Sequence, residues 1–133
     1  METPSDILIV DDDPDMVETM LLILSHAGYA VRGARNGLEA LALVSERRPA
    51  LVLLDMLMPV MDGWRCAQEL RARYGHGLAI VVLTAAEHAG ARASEVAADG
   101  VLAKPFEIDD LLAVVTRYAG AGAGHPAGPG ITT

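Results

Sequence analysis

Five short strand-like runs, at residues 7–10, 29–34, 51–54, 79–83 and 101–103, alternate with segments of helical periodicity along most of this chain. The first, Ile7-Leu8-Ile9-Val10, is apolar at every position and rich in β-branched residues, the pattern of a strand buried on both faces. Four of the runs hand over directly to a chemically capable side chain: Asp11, Asp55, Thr84 and Lys104. Between them the pattern changes. Asp13-Pro14 supplies an N-cap and a first-turn proline, and Val17, Met20, Leu21 and Leu24 then recur at i, i+3, i+4 and i+7 until Gly28. Asn36-Gly37 opens a second helix over 38–47, stopped by Pro49. Further helices are predicted over 64–74, which follows an Asp62-Gly63 turn, over the alanine-rich 88–98, and after Pro105-Phe106, where Ile108, Leu111, Leu112 and Val115 mark one apolar face.

Strands alternating with helices imply an α/β fold, a parallel sheet covered on both sides, with right-handed crossovers limiting its topology. At 133 residues the chain holds one domain, which buries about two-thirds of its unfolded surface. That domain is expected over 1–119. From 120 to 133 glycine, alanine and proline dominate, the composition of a flexible tail or linker. A formal charge of −8 with no basic stripe argues against nucleic-acid binding by this chain. One cysteine, Cys66, excludes an internal disulfide. No apolar run approaches the ~18 residues of a membrane span, and the acidic start lacks the features of a signal peptide, so a cytoplasmic domain is expected.

Ligands of open parallel sheets sit outside the carboxyl ends of the strands, which is where Asp11, Asp12, Asp55, Thr84 and Lys104 fall. Lys104 is the sole lysine beside nine arginines. Three carboxylates in one crevice repel one another and call for a cation, and hard oxygen donors suit Mg²⁺. An aspartate can take up a phosphoryl group as an aspartyl phosphate, in a transfer promoted mainly by positive charge and donors around the moving oxygens. The metal, the Lys104 ammonium and the Thr84 hydroxyl would supply these.

Taken together, Val10-Asp11-Asp12-Asp13-Pro14, Leu53-Leu54-Asp55-Met56-Leu57-Met58-Pro59-Val60-Met61-Asp62-Gly63, Leu83-Thr84-Ala85 and Lys104-Pro105-Phe106 resemble the receiver domain of two-component response regulators, over about residues 6–118. The resemblance implies a flavodoxin-like (βα)5 three-layer sandwich with strand order 2-1-3-4-5, an arrangement for which a chemotaxis receiver is a standard example. It implies Asp55 as phosphoacceptor, and Asp11, Asp12, Asp55 and the Leu57 backbone carbonyl as Mg²⁺ ligands. Thr84 and Lys104 would hold the phosphoryl group, and Lys104-Pro105 is a candidate cis bond. The implied donor is a sensor histidine kinase or a histidine phosphotransfer protein, docking beside the first helix, where Met16, Leu22 and Ile23 fall off the core face. The implied output and dimer face is formed by the 88–98 helix, the fifth strand and the last helix. Such a domain is no turnover enzyme, although it assists its own phosphorylation and dephosphorylation. In one respect the chain departs from the family. Val101 stands three residues before the lysine, where an aromatic ring usually reorients on phosphorylation, so switching is expected to run through the backbone of 87–98 instead.

Other readings fit less well. A haloacid-dehalogenase-type phosphatase would want Thr or Val where Asp15 stands. An EF-hand loop starting at Asp11 fails at Met16 and Leu22, and a nucleotide binder would need a glycine-rich loop after the first strand. A receiver-like interaction module that takes no phosphate remains the second reading. Trp64 is expected to pack at a helix start and Cys66 to be buried, while His26, His76, His88 and His125 lack metal-binding spacing.

Overall fold

The computed structural model describes residues 6–88, 91 and 95–120. Strands β1 (Asp6–Val10), β2 (Ala30–Ala34), β3 (Leu51–Asp55), β4 (Ala79–Ala85) and β5 (Gly100–Lys104) alternate with helices α1 (Pro14–His26), α2 (Gly37–Glu46), α3 (Gly63–Tyr74) and α4 (Ile108–Ala119). All four strand pairings are parallel, in the order β2-β1-β3-β4-β5. Short 3-10 turns occupy Gly75–Gly77 and Ala86–His88. Of the helix expected over 88–98, residues 89–90 and 92–94 lie outside the described residues, as does the tail beyond Gly120. No helix among the described residues is long and apolar enough to cross a membrane.

Side-chain alternation along the strands divides the core in two. Leu8, Val10, Val52, Leu54, Ile80 and Val82 face α2 and α3, meeting Ala40, Val44, Cys66 and Leu70. Ile7, Ile9, Leu51, Leu53, Val81 and Leu83 point the other way, onto Met20 and Leu24 of α1 and Leu111 and Val115 of α4. β1 from Ile7 onward and all of β3 are buried, as near-continuous apolar runs require. Each such side chain contributes about 1.5–3 kcal/mol.

Helix starts are set by local chemistry. Asp13 accepts from the Asp15 N–H with Pro14 at the first helical position, Asn36 accepts from Glu39, and Asp62 accepts from Arg65. Two expectations are corrected at the α1–α4 seam. Ile108, expected on the core face, is 56% exposed, because the first residue of α4 faces a surface groove shared with Leu22, Ile23, His26, Ala27 and Leu112. Met16 and Ile23, expected off the core, pack against it, since the flanks of α1 are covered as well as its sheet face; Leu22 alone of those three stays exposed.

Candidate functional site

The carboxyl ends of β1 and β3 bring three carboxylates together. Asp11 follows β1 directly, its N–H donating to the Ala34 carbonyl (3.1 Å), and its side chain is 1% exposed. One of its oxygens, Oδ1, accepts from the Asp13 N–H at 3.0 Å. Asp12 is exposed and Asp13 is occupied by its cap, so the run of three acids divides its roles. Asp11, Asp12 and Asp55 each offer a carboxylate oxygen, all within 4.8 Å of one another. No other group of His, Cys, Asp or Glu among the described residues could hold a metal in this way.

Asp55 ends the central strand, hydrogen-bonded into both β1 and β4. The loop that follows is tightly held. The Gly63 N–H donates to the Met56 carbonyl (2.9 Å), the Gly37 N–H to Met61 (3.2 Å), and the Met61 N–H to Pro59 (2.8 Å). The last of these closes a three-residue turn around Val60 at φ +70°, a strained conformation for a β-branched residue. Gly63 was not singled out by sequence as a site residue, yet α3 starts hard against the site. A Cβ at that position would lie 2.6 Å from both the Asp55 carbonyl oxygen and the Met56 Cα.

Lys104 ends β5 and spans the crevice, its Nζ 3.1 Å from Asp11 Oδ2 and 3.3 Å from Asp55 Oδ1. Burial raises the pKa of Asp55, the Asp11 charge adds to the rise, and Lys104 offsets part of it, leaving Asp55 at about 6. Burial works against the Lys104 charge, but Asp55 and Asp11 outweigh it and hold its pKa above the ordinary lysine value. The crevice is therefore short of positive charge even with the lysine in place. An acid whose folded pKa is raised disfavours the fold once ionised, so its stabilising neutral form is lost as pH climbs toward and through about 6. Asp55→Asn is accordingly expected to stabilise the metal-free chain by about 1–3 kcal/mol at neutral pH. The gain should shrink as the pH falls below 6 and vanish below the ordinary aspartate range. Thermal unfolding in a chelator at two pH values checks this; an Asn variant less stable at neutral pH would contradict it.

Thr84 is buried near the end of β4, paired in register with Ala103 of β5. Val101 is half-buried opposite Val82 and packs on the α2–α3 side of the core, a position with no ring to reorient. Leu57 is 67% exposed in the loop after Asp55. Lys104-Pro105 is cis. Cys66 is fully buried, its thiol pushed up to about 12 mainly by that burial, which leaves it unreactive.

A profile of the Response regulator receiver domain family matches residues 7–116. Among curated proteins, Response regulator MprA of Mycobacterium sp. (strain KMS) is 42% identical over 112 residues, 83% of this chain and 48% of the relative. The chain thus spans about half the length of the curated relatives it matches. Two solved structures superpose closely. Vibrio cholerae chemotaxis protein CheY4 has a TM-score of 0.80 at 30% identity, covering 87% of this chain and 99% of that one. The response regulator TrrA of Thermotoga maritima, in complex with Mg(2+)-BeF, has a TM-score of 0.78 at 35% identity, covering 86% and 98%.

Proposed function

This chain belongs to the response regulator receiver domain family, and from that premise we propose that Asp55 is its phosphoacceptor, loaded by a histidine kinase or histidine phosphotransfer protein. The observation that carries this reading is the position of Asp55. It is a nearly buried carboxylate with a raised pKa, at the end of the central strand, facing both a second buried acid and the sole lysine.

The donor set fits a divalent ion. Asp11, Asp12 and Asp55 converge with more negative charge than Lys104 neutralises, and hard oxygens suit Mg²⁺. Asp11, Asp12, Asp55 and the Leu57 carbonyl would hold it. Bound there, it would neutralise charge on the phosphoryl oxygens. An oxygen of Asp55 attacks the phosphorus, the new P–O bond forms as the P–N bond of the phosphohistidine breaks, and the imidazole leaves with its electron pair. Lys104 turns its ammonium from the carboxylates to the incoming phosphoryl oxygens, and Thr84 donates its hydroxyl hydrogen to one of them. In dephosphorylation water attacks the phosphorus, the P–O bond to the Asp55 carboxylate oxygen breaks, and inorganic phosphate departs from the regenerated carboxylate; the same residues assist both steps. The complex of TrrA with Mg(2+)-BeF supports the reading by similarity.

In this reading residues 1–119 form the receiver and 120–133 a linker or tail, and the domain works in the cytoplasm. Leu22 belongs to the donor's docking area, and the face around β5 and α4 to output or self-association. With Val101 in the switch position, the change passes through the backbone after Thr84.

Intact mass after incubation with acetyl phosphate and Mg²⁺ tests the assignment. One added phosphoryl group is expected on the native chain, not formed when Mg²⁺ is chelated from the start and absent from Asp55→Ala. An adduct that persists in Asp55→Ala would mean another nucleophile. No adduct at all would favour the interaction module that takes no phosphate.

A further inference from the structure

Three side chains around one groove stand where the local chain does not favour them. The groove, about 370 Å³, lies beside the loop that leaves Asp55 and is lined by Leu38, Val60, Met61, Asp62 and Arg65. Val60 holds φ +70°, which a β-branched residue resists, and it is 73% exposed, so burial offsets little of that cost. Arg65 puts a cation in the first turn of α3, at the positive end of the helix, and pairs with no acid among the described residues. Leu38, in the first turn of α2, is 54% exposed. Asparagine at 60, an acid at 65 and a polar residue at 38 would each suit the fold better. Local preferences overridden together at one place mark a surface kept for something other than stability.

The groove is also pre-formed. The Gly37 N–H donates to the Met61 carbonyl (3.2 Å), and a Cβ at Gly37 would meet the Met61 side chain at 2.7 Å, so Leu38 and Val60 stand on two segments seated against each other. Asp62 Oδ1 is held as the α3 cap, accepting from the Arg65 N–H at 2.9 Å. A visitor thus meets two fixed apolar side chains and one unpaired guanidinium. That combination fits an amphipathic helix with an acidic residue beside its apolar contacts.

Position selects among such helices. The loop joins Asp55 to α3, and α2 and α3 cover the sheet face opposite α1 and its exposed Leu22. A phosphohistidine carried to Asp55 on a helix brings the turns on either side of it over the rim of the crevice. We propose that this groove receives the helix bearing the donor's phosphohistidine, with Leu38 and Val60 as apolar contacts and Arg65 pairing with an acid on that helix. This rests on Asp55 being a phosphoacceptor loaded by a histidine donor. Leu38, Val60 and Arg65 touch no reacting atom; they select the donor.

The test is phosphotransfer to the native chain from each phosphorylated sensor kinase and histidine phosphotransfer protein of the source genome, beside acetyl phosphate, a donor with no helix to dock. For the protein donor that loads the native chain fastest, Leu38→Gln and Val60→Asn are each expected to lower kcat/KM about fivefold. Arg65→Glu should lower it about tenfold, an effect that fades with added salt, while Arg65→Lys stays near native. Acetyl phosphate should load all four variants at the native rate. Val60→Asn should also raise Tm by about 3 °C or more, because asparagine accepts a positive φ; a role confined to the fold would not improve stability while slowing transfer. Protein-donor rates unchanged in Leu38→Gln, Val60→Asn and Arg65→Glu, or lowered only as far as acetyl phosphate rates, would overturn the docking role. A dimer of the native chain in sedimentation that Val60→Asn abolishes would assign the groove to a second copy instead. Loading by acetyl phosphate but by no protein donor would remove the proposed occupant, whereas no loading at Asp55 from any source would end the phosphoacceptor reading itself.

Discussion

Lys104→Met is expected to slow phosphoryl uptake from acetyl phosphate about 100-fold, the usual cost of removing one group that stabilises charge in the transition state. It should also weaken the metal-free fold in a pH-dependent way. The raised pKa of Lys104 means that its charge favours the folded state, a contribution complete below the ordinary lysine value and lost only as pH rises through the higher folded value. At about pH 8 it is fully present, so the variant forfeits it. Without the lysine, Asp11 and Asp55 face each other uncompensated, and the pKa of Asp55 climbs beyond about 6. The deficit should therefore be about 2–4 kcal/mol under mildly alkaline conditions and shrink as acid protonates Asp55. Thermal unfolding across that range reads both signs; a deficit that grows on acidification would refute the account. Lys104→Arg should recover more of the stability than of the transfer rate, because a broad guanidinium does not replace a compact ammonium.

Gly63→Ala is the second large effect, and it comes from backbone contact. The added methyl would meet the Asp55 carbonyl oxygen and Met56 Cα at 2.6 Å, closer than any relaxed contact, and neither atom can yield without moving the end of the strand that carries Asp55. A cost of about 3 kcal/mol or more follows, with a fall of roughly 10 °C or more in Tm. Phosphorylation should fall further than stability alone explains. Gly33→Ala is the control: its Cβ would meet the Val17 side chain at 2.8 Å, on an edge strand, where a rotamer change can relieve the contact. If the two substitutions cost the same, the tight seat of α3 against Asp55 is not what makes position 63 sensitive.

Much of this was legible in the chain itself. Apolar runs and i, i+3, i+4 spacing located every strand and the four described helices to within a few residues, because both signals are local. Asp13, Asn36 and Asp62 announced the helix starts for the same reason. The carboxyl-end rule for parallel sheets singled out Asp11, Asp12, Asp55, Thr84 and Lys104; the three carboxylates and Lys104 meet, while Thr84 is buried near the end of β4. What escaped was long-range. The Arg71 side chain donates to Ala97 and Asp99, 26 and 28 positions away, the Trp64 indole donates to Glu95 across 31, and the seat of Gly63 depends on how one helix enters a loop. Periodicity has no vocabulary for these. Ile108 misled for a related reason: it keeps the helical spacing of a core residue, yet the first turn of α4 faces the seam with α1.

The strand order also grades the stiffness of the crevice. Asp55 stands on the middle strand, with neighbours on either side and side-chain layers above and below, whereas Lys104 stands on β5, an edge strand with one neighbour. An incoming group therefore meets an anvil on one side and a compliant wall on the other. Amides of β3 should exchange with solvent only through global unfolding, and those of β5 by smaller openings as well. Asp55 is thus carried by the stiffest strand of the crevice and Lys104 by a more yielding one.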